Sequence, residues 1–103
     1  MKDFKGLDYK EVTSNKEKLV LIDFFATWCG PCKMLTPVLE ELASEREDVE
    51  IYKIDVDQNR DLAIERGIRS VPTLVLYRDG VEVGEKKGYR PKEELVAWFD
   101  EHK

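Results

Sequence analysis

Leu19-Val20-Leu21-Ile22 is the longest uninterrupted apolar run in the chain, and with Asp23-Phe24-Phe25-Ala26 it reads as a buried strand carrying one carboxylate. Ahead of it, Asp8 is placed to cap a short helix from Tyr9 to Asn15. From Pro31 to Arg46 the apolar period changes to that of a helix. Leu35, Val38, Leu39 and Leu42 share its core face, and Pro37 is expected to kink it. Val49 to Val56 predicts a second strand. Asn59 is expected to cap a helix through Arg66, which Gly67 stops in the left-handed position. Thr73 to Arg78 predicts a third strand. Asp79-Gly80 is a two-residue hairpin signal leading into a fourth, Val81 to Lys87. Pro91 suits a first helical position, with Glu93 and Glu94 behind it and Leu95, Trp98 and Phe99 as the buried stripe of a last helix.

The predicted order is α-β-α-β-α-β-β-α. Strand–helix–strand crossovers imply parallel neighbours, and the hairpin adds an antiparallel one. The expected fold class is therefore α/β: a central mixed sheet flanked by helices on both faces. In such sheets the reactive site lies beyond the carboxyl ends of the strands. No repeat, linker or low-complexity stretch divides residues 1–103, so a single domain is expected.

Composition narrows the function classes. The 103 residues are 42% hydrophobic, enough for a core without metals or disulfide staples. Seventeen Lys and Arg against 22 Asp and Glu give a net charge of −5. That balance argues against nucleic acid or an anionic membrane as partner, since both need a positive field. A small acidic domain of this kind is expected to be monomeric. Met1 to Gly6 has no apolar leader, and no run approaches the ~20 residues of a membrane helix. The expected location is cytoplasmic, where thiols are kept reduced and a cysteine pair is reactive or metal-binding rather than structural.

The chain has two cysteines, in Trp28-Cys29-Gly30-Pro31-Cys32. They follow a buried strand and open a helix, the context that gives a C-x-x-C redox meaning. At a helix start the unpaired N–H groups and the positive end of the macrodipole stabilise a thiolate. Cys29, at the cap, gains most, while Cys32 sits one turn in, pointing toward the protein body. The spacing lets the sulfurs cycle between dithiol and disulfide. A zinc site needs about four ligands, and beyond the cysteines the chain offers only His102, read as a solvated terminal residue. As a structural staple the pair closes too short a loop to stabilise much, roughly 2 kcal/mol. Asp23 inside an apolar strand is costly unless paired, and burial raises its pKa into a range useful for acid–base work. The alternative is an ordinary Asp at a solvated strand end. Lys53, by spacing alone, reads as a solvent-facing residue, and Trp28 fits either the core or an exposed rim.

Asp23 through Met34, with Cys29 and Cys32 at its centre, resembles the active site of the thioredoxin family. The likeness continues through Lys53, Asp57-Gln58-Asn59, Gly67-Ile68, Val71-Pro72-Thr73, Asp79-Gly80 and Gly88, and covers the chain from about Leu19 to its end. It implies a thioredoxin fold and a dithiol carrier that reduces protein disulfides. By this resemblance Cys29 is the nucleophile that forms a mixed disulfide and Cys32 the resolving thiol. Asp23 is the buried acid serving Cys32, and Lys53 the base whose charge tunes it. Pro72 is the family's cis proline beside the sulfurs. The Val71 backbone pairs with the bound target strand, and Trp28, Gly30, Pro31, Val71 and Gly88 form an apolar docking patch. No cofactor is implied beyond the Cys29–Cys32 disulfide, and no metal. No dinucleotide-binding G-x-G-x-x-G occurs, so electrons would come from a separate flavoprotein, a thioredoxin reductase.

The chain departs from the common family pattern at Phe25, where many members carry a second Trp, at Ser70 and at Tyr89. None of these is expected to touch the sulfurs, so they bear on partner preference rather than chemistry. Two other functions stay open. One is a thiol oxidase or disulfide isomerase on the same fold. Against it, Gly30-Pro31 brings no charge or imidazole that would over-stabilise a thiolate and make the pair oxidising. The other is a redox-independent binding module or scaffold.

Overall fold

The computed structural model describes all residues, 1–103. The elements run β1 (Lys2–Asp3), α1 (Tyr9–Thr13), β2 (Leu19–Phe25), α2 (Gly30–Glu45), β3 (Val49–Asp55), α3 (Arg60–Glu65), β4 (Thr73–Arg78), β5 (Val81–Lys87) and α4 (Lys92–His102). The sheet order is β1-β3-β2-β4-β5. β3 pairs parallel with β1 and β2, whereas β4 pairs antiparallel with β2 and β5.

Alternation along the strands builds two cores. Leu19 and Leu21 of β2, Ile51 of β3 and Leu74 and Leu76 of β4 pack with Leu35, Leu39 and Leu42 of α2 and Leu95, Trp98 and Phe99 of α4. Val20, Ile22 and Phe24, one residue out of phase, turn to the opposite face and meet Phe4, Tyr9, Ile54, Val75 and Tyr77. β2 is buried on both faces, which explains its unbroken apolar pattern. Val38, expected on the core face of its helix, is only partly buried against the core's edge.

The turn chemistry follows local rules. Asp79 and Gly80 both take positive φ, 52° and 79°, the backbone of a tight hairpin whose twist matches its strands. Gly67 has φ +71° just past α3, and the Ile68 N–H returns to the Ala63 carbonyl at 2.9 Å, satisfying an orphan helix acceptor. α2 continues through Pro37, which faces solvent.

Several expectations need correction. β1 has no sequence signature: two exposed charged residues become a strand only by pairing with Tyr52 and Lys53. α1 ends at Thr13 rather than Asn15. The Asn15 carboxamide instead accepts the Glu17 and Lys18 N–H groups at 2.8 and 2.9 Å, a turn that competes with further helix. Asn59 occupies the cap position of α3 without capping it, because its side chain donates to the Asp55 carbonyl at 2.9 Å. Pro91 is not in the first turn of α4. It is the cap residue, extended at ψ 158°, and its carbonyl accepts the Glu94 N–H at 3.1 Å.

Candidate active site

The carboxyl ends of the parallel strands β2 and β3 deliver the two segments that build the site. β2 ends at Phe25, and the chain passes through Ala26 and Trp28 to Cys29, the cap residue of α2. The Cys29 sulfur accepts the Cys32 N–H at 3.2 Å, so a helix-end donor points at the first sulfur. Cys29 and Cys32 are joined as a disulfide with Cα atoms 5.3 Å apart. The pair packs with Ala26 against Phe25, Val56 and Val71. Both cysteines are almost fully covered, Cys29 at 5% exposure, so a partner must come down onto this surface to reach a sulfur.

The loop before β4 forms the other wall. The Cys29 sulfur lies 3.7 Å from the Val71 carbonyl oxygen. The Val71–Pro72 peptide is cis. The Pro72 carbonyl accepts the Gly88 N–H at 2.9 Å, which ties the end of β5 to this loop. Gly30 and Pro31 are exposed at the start of α2, and Val71 and Gly88 are half-buried. Tyr89, beside Gly88, is 41% exposed, and Ser70 is also exposed.

Asp23 sits beneath this surface. It shares the β2 face that carries Leu19 and Leu21, the side covered by α2, and it is 2% exposed. One of its carboxyl oxygens, Oδ1, has no hydrogen-bond partner. Burial pushes its pKa up to about 7, and the positive charge of Lys53 opposes that rise. Lys53 is the register partner of Asp23 across β2 and β3. Its ammonium also lies 3.6 Å from the exposed Asp3 carboxylate and 5.7 Å from the centre of the Phe25 ring. Phe25, in the position where many family members carry Trp, thus offers a π face to the base beside Asp23.

Trp28 is 69% exposed, yet fixed: its indole N–H donates to the Asp57 carboxylate at 2.8 Å. Asp57 enters the family likeness only as part of a segment, and its partnership with Trp28 has no local signal. The parallel register supplies one, because Phe25 pairs with Asp55 and residues just beyond each strand converge. Asp3 likewise has no local signal, since β1 has none. His102 is half-buried on α4, with Glu101 at 4.0 Å. No group of three or more His, Cys, Asp or Glu side chains is arranged to hold a metal ion.

A family model described as Thioredoxin matches residues 2–101. The chain belongs to the thioredoxin family. The chain is 52% identical over 84 residues to the thioredoxin of Chlamydia muridarum, covering 82% of each protein. To a thioredoxin of Staphylococcus aureus it is 49% identical over 83 residues, 80% of each. Among solved structures, a mutant thioredoxin from Halobacterium salinarum superposes with a TM-score of 0.88 at 44% identity, over 98% of this chain and 88% of that one. With its cysteine pair at a helix cap, this thioredoxin-family chain is a thiol–disulfide oxidoreductase that reduces disulfides in proteins. No helix is long and apolar enough to cross a membrane.

Proposed function

We propose that the chain is a monomeric, cytoplasmic dithiol carrier recharged by a separate flavoprotein, a thioredoxin reductase, with no bound cofactor of its own. The observation that carries the mechanism is the placement of Cys29 as the cap of α2, its sulfur receiving the Cys32 N–H at 3.2 Å. A negative charge on that sulfur is stabilised by the helix end, an advantage that Cys32, one turn in, does not share.

In the reduced protein the Cys29 thiolate attacks one sulfur of a target disulfide. A Cys29–target bond forms, and the target's other sulfur leaves as a thiolate. Cys32 then loses its proton to Asp23 and attacks the Cys29 sulfur. The Cys29–Cys32 bond closes and the second target sulfur departs, so two electrons have passed to the target. Asp23 suits this task because burial holds its pKa at about 7, and it can take and return a proton near neutral pH. Lys53 keeps that value from rising further. The Val71 backbone supports an extended target segment, and Trp28, Gly30, Pro31 and Gly88 supply the surface around it. The reductase reverses the sequence.

Trapping tests this order. Cys32→Ser, mixed with a disulfide protein after reduction, is expected to accumulate a covalent 1:1 adduct by mass spectrometry, and Cys29→Ser is expected to give none. An adduct on Cys29→Ser and not on Cys32→Ser would reverse the assignment. A scaffold role is favoured only if the Cys29→Ser, Cys32→Ser double variant retains activity.

A further inference from the structure

Arg69 gives the groove beside Cys29 a positive charge that no carboxylate of the chain neutralises. The groove encloses about 170 Å³ and is lined by Trp28, Val56, Ile68, Arg69, Ser70 and Val71. Its walls are mostly apolar, and Arg69 is its only charged lining residue. Of the five other arginines, four are engaged: Arg46 by Asp48 and Asp100, Arg66 by Glu65 and the Tyr9 ring, Arg78 by Asp79, and Arg90 by Glu94; the fifth, Arg60 on α3, is also without an ion pair but does not line this groove. Arg69 is exposed and makes no ion pair or hydrogen bond through its side chain. Asp57, the acid nearest to Trp28, is already taken by the indole N–H at 2.8 Å.

We propose that Arg69 is a specificity-determining residue: the groove takes an extended segment of a disulfide-bonded protein that seats an apolar side chain between Trp28 and Val71 and places a carboxylate against Arg69. This rests on the reading of Cys29 as the attacking sulfur. The Val71 carbonyl is 3.7 Å from that sulfur, and Arg69 is two residues upstream. An extended segment advances about 3.3 Å per residue. The favoured carboxylate therefore lies one to three residues from the attacked cysteine. The chain's net charge of −5 would by itself disfavour an acidic partner. At physiological salt, however, the Debye length is about 8 Å, and a contact pair outweighs distant charges. A docked segment also excludes water from the groove, which strengthens the pair, and a guanidinium can hold a carboxylate through two parallel hydrogen bonds.

The test uses disulfide peptides that differ only in Asp, Asn or Lys placed one, two or three residues from the attacked cysteine, and compares their second-order rates of reduction by the prereduced full chain. The wild type is expected to favour Asp over Asn by about threefold to tenfold, less at 0.5 M salt than at 0.05 M. Arg69→Gln is expected to level the rates, Arg69→Glu to favour Lys, and Arg69→Lys to restore part of the Asp preference. Arg69 is exposed, so these variants are expected to keep the wild-type unfolding midpoint, and the preference is read as a ratio within each. Equal Asp and Asn rates at all three positions in the wild type overturn the proposal, as does an Asp preference that survives in Arg69→Glu. If no peptide is reduced by any variant, the Cys29 reading itself has failed and the proposal with it.

Discussion

Replacing Asp23 by Asn is expected to stabilise the oxidised protein at pH 8 and to destabilise it in acid. Asp23 is 2% exposed, and its Oδ1 has no partner. Its pKa rises from 3.8 to about 7 on folding, chiefly because burial penalises the charged form, with Lys53 pulling the other way. Between about pH 4 and pH 7 the folded state holds this proton while the unfolded state has released it. Fewer protons are bound in the unfolded chain, so stability falls as pH rises through that window. A shift of roughly three units at about 1.4 kcal/mol each makes the ionised Asp23 cost up to about 4 kcal/mol by pH 8. Asn is neutral throughout, so at pH 4 it has no charge advantage over the protonated acid. Its imperfect amide partners cost about 1–3 kcal/mol at every pH, which at pH 4 is the whole effect. The net expectation at pH 8 is a gain on the order of 2 kcal/mol, a Tm rise on the order of 10 °C. Urea unfolding of both proteins at pH 4, 6 and 8 measures it, and subtraction removes what other groups contribute. A difference that does not change between pH 4 and pH 8 would show that burial does not raise the Asp23 pKa, and so would an Asn variant less stable at pH 8.

Two further outcomes follow from single contacts. Asp57→Asn weakens the bond that fixes the exposed Trp28 indole. It is expected to lower kcat/KM for protein disulfides about two- to fivefold while leaving the unfolding midpoint within about 0.5 kcal/mol and alkylation of reduced Cys29 unchanged. An equal loss in alkylation rate would move Asp57 from docking to sulfur chemistry. Gly84→Ala places a Cβ 2.9 Å from Trp98 Nε1, closer than side chains sit without shifting. It is expected to destabilise by about 1–3 kcal/mol in denaturant unfolding, and a neutral result would show that Trp98 yields freely.

The parts of the fold legible in the chain are those with a periodic cause. β2 announces itself because both its faces are buried, and α2 because Leu35, Leu39 and Leu42 repeat along one stripe. Asp79 and Gly80 mark their hairpin because few other pairs adopt its backbone. What stayed hidden depends on pairing across the sheet. β1 is two charged residues whose strand character comes entirely from β3, and with it the Asp3 contact to Lys53 was invisible. Asn59 and Pro91 carry the right residue type for a role that the surrounding backbone assigns differently. At the site, a cysteine pair following a strand and opening a helix is a local signal. The Trp28–Asp57 contact spans 29 residues and exists only once β2 and β3 lie in register. Asp23 lies between these cases. An acid in an apolar strand invites attention, but only the sheet faces decide that it lies under α2 rather than at a solvated end.

In the mechanism proposed above, the Cys29 sulfur, held at the cap of α2, is the one that ionises and attacks. Alkylation of the fully reduced protein at pH 7 with limiting iodoacetamide, mapped by peptide mass spectrometry, tests it directly. A free thiol is only about 3% ionised at that pH. Cys29 is expected to be modified ahead of Cys32, at least about threefold faster than free cysteine reacts. Label appearing first on Cys32, or Cys29 reacting no faster than the free amino acid, would contradict it.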